Sequence, residues 1–276
     1  MRLAFYYPWF PNAWEQDNVK PYSNYVPCLD PPYYDSANPE TIRNHIDSMR
    51  YGNIDGGIAS WWGQGHVTDQ NLSKLLAEAK GGPFTWCIYH ELESIRKLTV
   101  SDIESDLKYI MEKYAGQPNY LRIDGRFVVF VYSLIEEKAE GCSMASRWKQ
   151  ANTTNAFVVL KVFKDYGSCV DQPDSWHQYA PANPFESCRM GRILGKPYSC
   201  TISPGFWKVT EAKPRLARDL DTWRSSIRQM IKSKATFQLV TTFNEHGEGT
   251  GVECCRQWQT ESDHGAYLDA LRSDGK

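Results

Sequence analysis

Residues 126–132, Arg-Phe-Val-Val-Phe-Val-Tyr, form a near-continuous apolar run with no polar alternation. A strand with one wet face alternates apolar and polar residues. A run without alternation suits a strand buried on both faces, as in parallel sheets covered by helices. Seven other strand-like runs share the chain with it, at 3–7, 55–62, 84–90, 156–163, 175–179, 198–203 and 237–242. Helical stretches separate most of them. Pro39 after the cap residue Asn38 opens one to about Tyr51, and Leu72, Leu75 and Leu76 mark one face of a second over 67–80. Ser101-Asp102-Ile103-Glu104 has the form of a capping box for a third, toward Ala115. Others are expected at 142–152, 216–234 and 263–271, while little between Phe163 and Tyr198 reads as helical. Eight strands with helical returns predict an α/β chain folded as a (β/α)8 TIM barrel, with reduced helices after strands 5 and 6. No linker, repeat or low-complexity tract divides it, so residues 1–276 read as one catalytic barrel domain.

Net charge of −2 gives no electrostatic case for nucleic acid or an anionic membrane, and no apolar run approaches the ~20 residues of a membrane span. The aromatic content is the outlier, at 10 Trp, 16 Tyr and 11 Phe, and some of that excess is core. Trp and Tyr also make the flat platforms on which sugar rings stack. The chain runs from Met1 straight into a strand without a signal-peptide core, which fits a cytosolic protein or one whose leader has been removed. Of eight cysteines, Cys87 and Cys200 lie in strands and read as buried thiols. Cys28, Cys142, Cys169 and Cys188 fall in loops or at boundaries and are free to pair in an oxidising compartment; Cys254 and Cys255 fit either state. This tilts the compartment toward the secretory pathway without fixing it. Oligomeric state is not legible.

In such barrels the site is built at the carboxyl ends of the strands. There this chain places Tyr7 and Trp9 after strand 1, then Trp61, Trp62 and His66 after strand 2. Strand 3 adds Tyr89, His90 and Glu91, strand 4 Tyr132, strand 6 Tyr179, and strand 7 Trp207. Each has a plain alternative. Tyr6 and Tyr7 point opposite ways along a strand, as do Trp61 and Trp62, so one of each pair belongs to the core. A lone His66 is commonly a hydrogen-bonded loop residue, and His90 or Glu91 can simply pair with a neighbour. The clustering is what packing alone does not explain.

The last strand leads into Thr242-Phe243-Asn244-Glu245-His246-Gly247-Glu248-Gly249-Thr250-Gly251-Val252-Glu253. Glu245 and Glu248 are three residues apart, fenced by glycines. Close carboxylates repel, so one pKa rises and a proton is kept near neutral pH. One neutral acid beside one ionised base is the equipment for cleaving an acetal. A solvated acidic turn is the commoner meaning of Glu-x-x-Glu, but the strand-end position with Phe243 and Asn244 favours chemistry.

These residues resemble glycoside hydrolase family 99, the endo-α-mannosidase family of (β/α)8 barrels. The likeness rests on 5–10 (FYYPWF), on Ile54-Asp55-Gly56-Gly57-Ile58 through Trp61-Trp62-Gly63, on 118–132 (PNYLRIDGRFVVFVY), and on the 242–253 block. The resemblance implies a retaining α-glycoside hydrolase, endo-acting on an α-mannoside or related glycan. Glu245 is implied as base on the substrate's own 2-hydroxyl and Glu248 as general acid/base, with Asn244 and His246 beside them at the substrate. Glu253 reads as a loop anchor. No cofactor is implied, and no metal: His246, Glu248 and Glu253 lack the further ligands of a site of known spacing. The partner is an oligo- or polysaccharide.

Two other readings stand beside this one. A related polysaccharide-biosynthesis branch has a similar Asn-Glu-x-x-Glu block but usually a Glu-Trp after its Trp-Trp-Gly run, which is missing here. A non-catalytic carbohydrate-binding barrel is disfavoured by the retention of both glutamates. Families with Asn-Glu at the end of strand 4 do not fit, since strand 4 ends in Tyr132-Ser133. The sugar, the linkage and the natural polymer are not legible.

Overall fold

The computed structural model describes residues 1–179, 181–183 and 199–275. Its frame is eight strands: β1 (Arg2–Tyr6), β2 (Gly56–Trp61), β3 (Thr85–His90), β4 (Arg126–Val131), β5 (Phe157–Lys161), β6 (Ser175–His177), β7 (Ser199–Ile202) and β8 (Phe237–Val240). Parallel ladders join them in the order β6-β5-β4-β3-β2-β1-β8-β7, so the first strand pairs with both the second and the last. Side chains bridge the seam between β6 and β7. The Ser199 hydroxyl donates to the Trp176 carbonyl at 3.1 Å and that of Thr201 to the Gln178 carbonyl at 2.6 Å. The expected (β/α)8 architecture is therefore present as a nearly closed parallel barrel.

The outer helices are α1 (Pro39–Tyr51), α2 (Val67–Ala79), α3 (Val100–Ile110), α4 (Lys138–Ala151), α5 (Leu220–Ser233) and α6 (Ala266–Asp274). Asn38 caps α1 and Pro39 opens it, and Leu72, Leu75 and Leu76 are buried on α2, as the sequence pattern requires. Two starts differ from expectation. The capping box of α3 is Thr99 with Asp102 rather than Ser101 with Glu104, because Thr99 is the residue with extended backbone. Helix α5 begins at Leu220 and not near Leu216, since Leu216 pairs antiparallel with Phe206. A two-residue strand, Arg122–Ile123, also folds back on β4. After β5 the chain makes only the 3-10 turn Tyr166–Ser168, the reduced return foreseen there; the stretch after β6 lies mostly outside the described residues.

Inside the barrel the core is aromatic where branched aliphatics are usual. Phe130 meets Phe5, His177 and Phe237 at ring separations of 6.5, 5.3 and 5.3 Å. Tyr89 closes this layer, its ring 4.7 Å from Phe5 and its hydroxyl 3.1 Å from His177 Nε2. One layer higher stand Tyr132 and Tyr179, 5.7 Å apart. Strand residues alternate between interior and exterior. Thus Phe5 and Tyr7 face the interior, while Tyr6 points out to His45 of α1, hydroxyl to Nδ1 2.9 Å.

Cysteines divide differently from the sequence reading. Cys28–Cys254 and Cys142–Cys169 are disulfides, and Cys87 and Cys255 are buried free thiols. Cys200 is disulfide-bonded rather than a free buried thiol; its position in a strand does not forbid a bridge. Cys188 lies outside the described residues.

Gly57 on β2 lets Trp86 of β3 lie on the backbone: a Cβ there would stand 2.1 Å from the indole. Gly57→Ala is expected to cost about 1–3 kcal/mol by overpacking. Urea unfolding measures this, and an unchanged midpoint would show that the contact is not made.

Candidate active site

The register Trp61↔His90 and His90↔Val131 levels three neighbouring strands. Their next residues, Trp62, Glu91 and Tyr132, therefore come side by side at the carboxyl rim. With Tyr7 and Trp9 after β1, Tyr179 after β6, Lys208 after β7 and Glu245, Gly247 and Glu248 after β8, they line a cleft of about 240 Å³. Gln16 and Tyr22 close its side from the β1–α1 loop.

The loop after β8 is held at many points. The Asn244 side chain accepts from Tyr7 N–H at 2.8 Å and donates to the Tyr7 carbonyl at 3.1 Å, extending the β1–β8 join by one residue. Thr242 Oγ1 accepts from Glu245 N–H at 2.9 Å and lies 3.0 Å from Thr250 Oγ1 across the loop. The backbone N–H groups of Trp207 and Val209 donate to the carbonyls of Glu248 and Gly247 at 2.8 and 3.0 Å. Gly247 carries no side chain because a Cβ would stand 2.8 Å from the Tyr22 ring and 3.2 Å from Glu245 Oε1.

Three carboxyls face this cleft, each shifted upward. Burial, then the charge of Glu248, raises Glu245 well above the ordinary carboxylate range, although backbone N–H groups of Glu248 and Gly247 favour its ionised form. Burial also raises Glu248, whose side chain is 26% exposed, while Lys208 and Tyr179 oppose the shift. Lys208 Nζ lies 3.7 Å from Glu248 Oε1, and a relay runs from Tyr7 OH to Tyr179 OH at 2.9 Å and on to Glu248 Oε2 at 3.4 Å. Burial pushes Glu91 up to about 8, with Glu248 adding to the rise. It accepts from Ser60 Oγ at 2.9 Å, which in turn accepts from Trp62 Nε1 at 3.0 Å. Such a set holds protons at neutral pH, as general acid catalysis requires.

Of the sequence-derived candidates, the structure brings Tyr7, Trp9, Trp62, Glu91, Tyr132, Tyr179, Glu245 and Glu248 together at the cleft. It places the others elsewhere, mostly by strand alternation. Trp61 points outward to α2, its Nε1 donating to Asp69 at 2.8 Å. His90 faces α3, Nε2 to Asp106 3.0 Å. Tyr89 lies one layer below the cleft floor. His66 is exposed and caps α2 through Nδ1. Trp207 turns its indole N–H to the Glu211 carbonyl at 2.8 Å and serves the loop through its backbone. Asn244 is spent on Tyr7.

His246 is buried behind the loop, Nε2 3.0 Å from Glu253, its ring 5.0 Å from Trp14. Burial works to raise the Glu253 carboxyl, but His45 and the His246 hydrogen bond outweigh it and hold the group at about 2. With Tyr34 OH donating at 2.8 Å, Glu253 has the buried-anchor surroundings expected of a structural acid. Lys208, Gln16 and Tyr22 escaped the sequence reading. Lys208 stands one residue beyond the Trp207 block, whereas nothing local marks Gln16 or Tyr22. Among the described residues no three His, Cys, Asp or Glu side chains converge as a metal site requires, and no helix is long and apolar enough to cross a membrane.

The model of glycosyl hydrolase family 99 matches residues 9–143, from just beyond β1 into the first half of α4 and short of the Glu245/Glu248 loop. No curated protein sequence matches significantly. Among solved structures, the chain is similar to the GH99 endo-alpha-mannosidase from Bacteroides thetaiotaomicron in complex with BIS-TRIS-propane. The two share 22% identity at a TM-score of 0.78, covering 99% of this chain and 95% of that one. A second structure of that enzyme gives 20% identity and 0.74 over the same shares. A protein described as glycoside hydrolase-like gives 16% and 0.71, covering 100% and 93%. At these identities the structural likeness shows the fold, and the family model adds a likeness to glycosyl hydrolase family 99 over residues 9–143; together they support a glycoside hydrolase.

Proposed function

We propose that the protein is a retaining α-glycosidase, cutting internally in an α-mannoside or related glycan, with Glu245 and Glu248 dividing the chemistry. The observation that carries this reading is the pair of raised carboxyls on one wall of a cleft that also presents Trp9, Trp62, Tyr7 and Tyr132. Aromatic faces take the sugar rings and the carboxyls take the protons. The endo-alpha-mannosidase described for the similar structure supports the choice of sugar and of internal cutting. Cys28–Cys254 and Cys142–Cys169 suit an oxidising compartment, so we place the protein in the secretory lumen or outside the cell.

In the first step Glu245 takes the proton of the sugar's 2-hydroxyl, and O2 attacks the anomeric carbon as the glycosidic bond breaks. Glu248 gives its proton to the departing oxygen. The product is a 1,2-anhydro sugar, which water opens at the anomeric carbon while Glu248 takes its proton and Glu245 returns one to O2. Two inversions give net retention. The two carboxyls stand in one loop and act on each other's charge, and burial favours a proton on Glu245. The base role needs that oxygen free. The N–H groups of Gly247 and Glu248 stabilise the anion, and a bound 2-hydroxyl adds a third donor. The phenols of Tyr7 and Tyr179, raised well above their ordinary value by burial, stay protonated and steady Glu248 as it cycles. Glu91, neutral below about pH 8, donates to a sugar hydroxyl without adding a third negative charge.

Glu248→Gln and Glu245→Gln are each expected to reduce cleavage of an α-mannan with a poor leaving group by roughly 10²–10⁴-fold, the usual worth of a general acid or base. Binding should persist. A 2-deoxy substrate should be inert with the unaltered enzyme, and its turnover would eliminate the anhydro-sugar route. Trp62→Ala should weaken oligosaccharide affinity in calorimetry at little cost to stability, whereas Trp61→Ala should cost about 3–5 kcal/mol of folding free energy; equal affinities for Trp62→Ala and the unaltered protein would remove Trp62 from the site.

Glu91 binds a proton when folded and loses it when unfolded between pH 4.5 and about 8. Its contribution to stability is therefore complete below pH 4.5 and lost as pH rises through 8. Glu91→Gln should make the decline of Tm over that window shallower; an identical decline would assign it to other groups.

A further inference from the structure

Arg218, between β7 and α5, is not among the residues that line the cleft, yet it grips the loop that carries Glu245 and Glu248. Its Nη2 donates to the carbonyl of Gly249 at 2.8 Å and to that of Gly251 at 2.6 Å. Its guanidinium is enclosed by three rings, with Cζ 4.1 Å from the centre of Trp258, 4.8 Å from Tyr267 and 4.9 Å from Tyr25. Its stem closes over Gly205, where a Cβ would stand 2.5 Å from Arg218 Cγ. We propose that Arg218 is a positioning residue for the Glu245/Glu248 pair, holding the loop that carries them through two backbone carbonyls.

The transmission is short. Gly249 N–H donates to the His246 carbonyl at 3.1 Å and Thr250 N–H to the Glu245 carbonyl at 3.3 Å, so the segment Arg218 grips is bonded back onto the segment that bears the acids. Gly249 has φ +62°, a left-handed conformation that glycine accepts freely, and a Cβ there would stand 2.7 Å from the Trp207 carbonyl. A Cβ on Gly251 would stand 2.9 Å from the Phe243 carbonyl. These glycines permit the tight turn but do not impose it; their freedom has to be taken up by an outside contact. Arginine suits the task because its planar head stacks on aromatic rings while its N–H fork stays aimed. Lysine keeps the charge but has no plane to stack on the rings and no fixed direction for its N–H bonds. Bonds from a charged donor are also about twice as strong as neutral ones.

The inference rests on the glycosidase reading for its kinetic consequence, so the test has a second readout. Arg218→Ala and Arg218→Lys are made in the full chain and assayed on an α-mannan. Misplacement of the acids predicts a fall in kcat of roughly 10- to 100-fold with little change in KM. Millimolar guanidinium should restore part of the loss in Arg218→Ala and leave Arg218→Lys unaltered. Hydrogen exchange of the amides over 245–251 should quicken in both variants. If Arg218→Ala does not fold, Arg218→Lys carries the test through the same kcat and exchange measurements. Native kcat together with native exchange over 245–251 in a folded variant overturns the proposal. So does a loss of kcat in Arg218→Ala that guanidinium cannot restore while exchange stays native. A chain that hydrolyses no α-mannan sinks the glycosidase reading instead, and the exchange rates then decide for or against Arg218 alone.

Discussion

Like charges at close range push their loop apart, and in this barrel the Glu245/Glu248 turn stays folded because ties from four directions oppose that push. Asn244 bonds it to the end of β1. Trp207 and Val209 reach it from beyond β7. Arg218 takes the carbonyls of its far limb, and Glu253 is sunk among His45, His246 and Tyr34. Burial makes the repulsion worse by thinning the dielectric, and the same burial raises the pKa values on which the proposed proton chemistry depends. Stability and activity thus pull on one loop in opposite senses, and the ties are where the conflict is settled.

Much of this was legible in the sequence because a strand has a period of two. Given one inward residue on each strand, alternation decides every neighbour: Trp62 in and Trp61 out, Glu91 in and His90 out, Tyr7 in and Tyr6 out. The apolar run at 126–132 announced a parallel sheet covered on both faces, and the β4 pairings bear that out. Without the phase of each strand, however, sequence alone could not choose between members of a pair. For that reason the sequence sets His90 and Trp61 among the substrate contacts, whereas the fold turns both outward.

Other features were hidden because they depend on partners distant in sequence. Lys208 gains meaning only from Glu248, and Arg218 only from three rings and two carbonyls scattered from Tyr25 to Tyr267. His246 looked like a site residue from its place between the glutamates. The direction of its side chain is set by Glu253 behind the loop, which no local rule reveals. The start of α5 is hidden for a similar reason, since a tertiary bridge from Phe206 claims Leu216.

The Cys28–Cys254 bridge spans 226 residues and joins the excursion after β1 to the end of the loop after β8. In the oxidised chain the unfolded state is thus almost a ring. A chain-entropy view gives such a closure about 5 kcal/mol at the expense of the unfolded ensemble. The pairing it favours most is that of β1 with β8, the two strands furthest apart along the sequence and the last that diffusion alone would bring together. A barrel whose first and last strands are held together in this way asks less of the neighbouring join between β6 and β7, where the hydroxyls of Ser199 and Thr201 reach carbonyls at the end of β6.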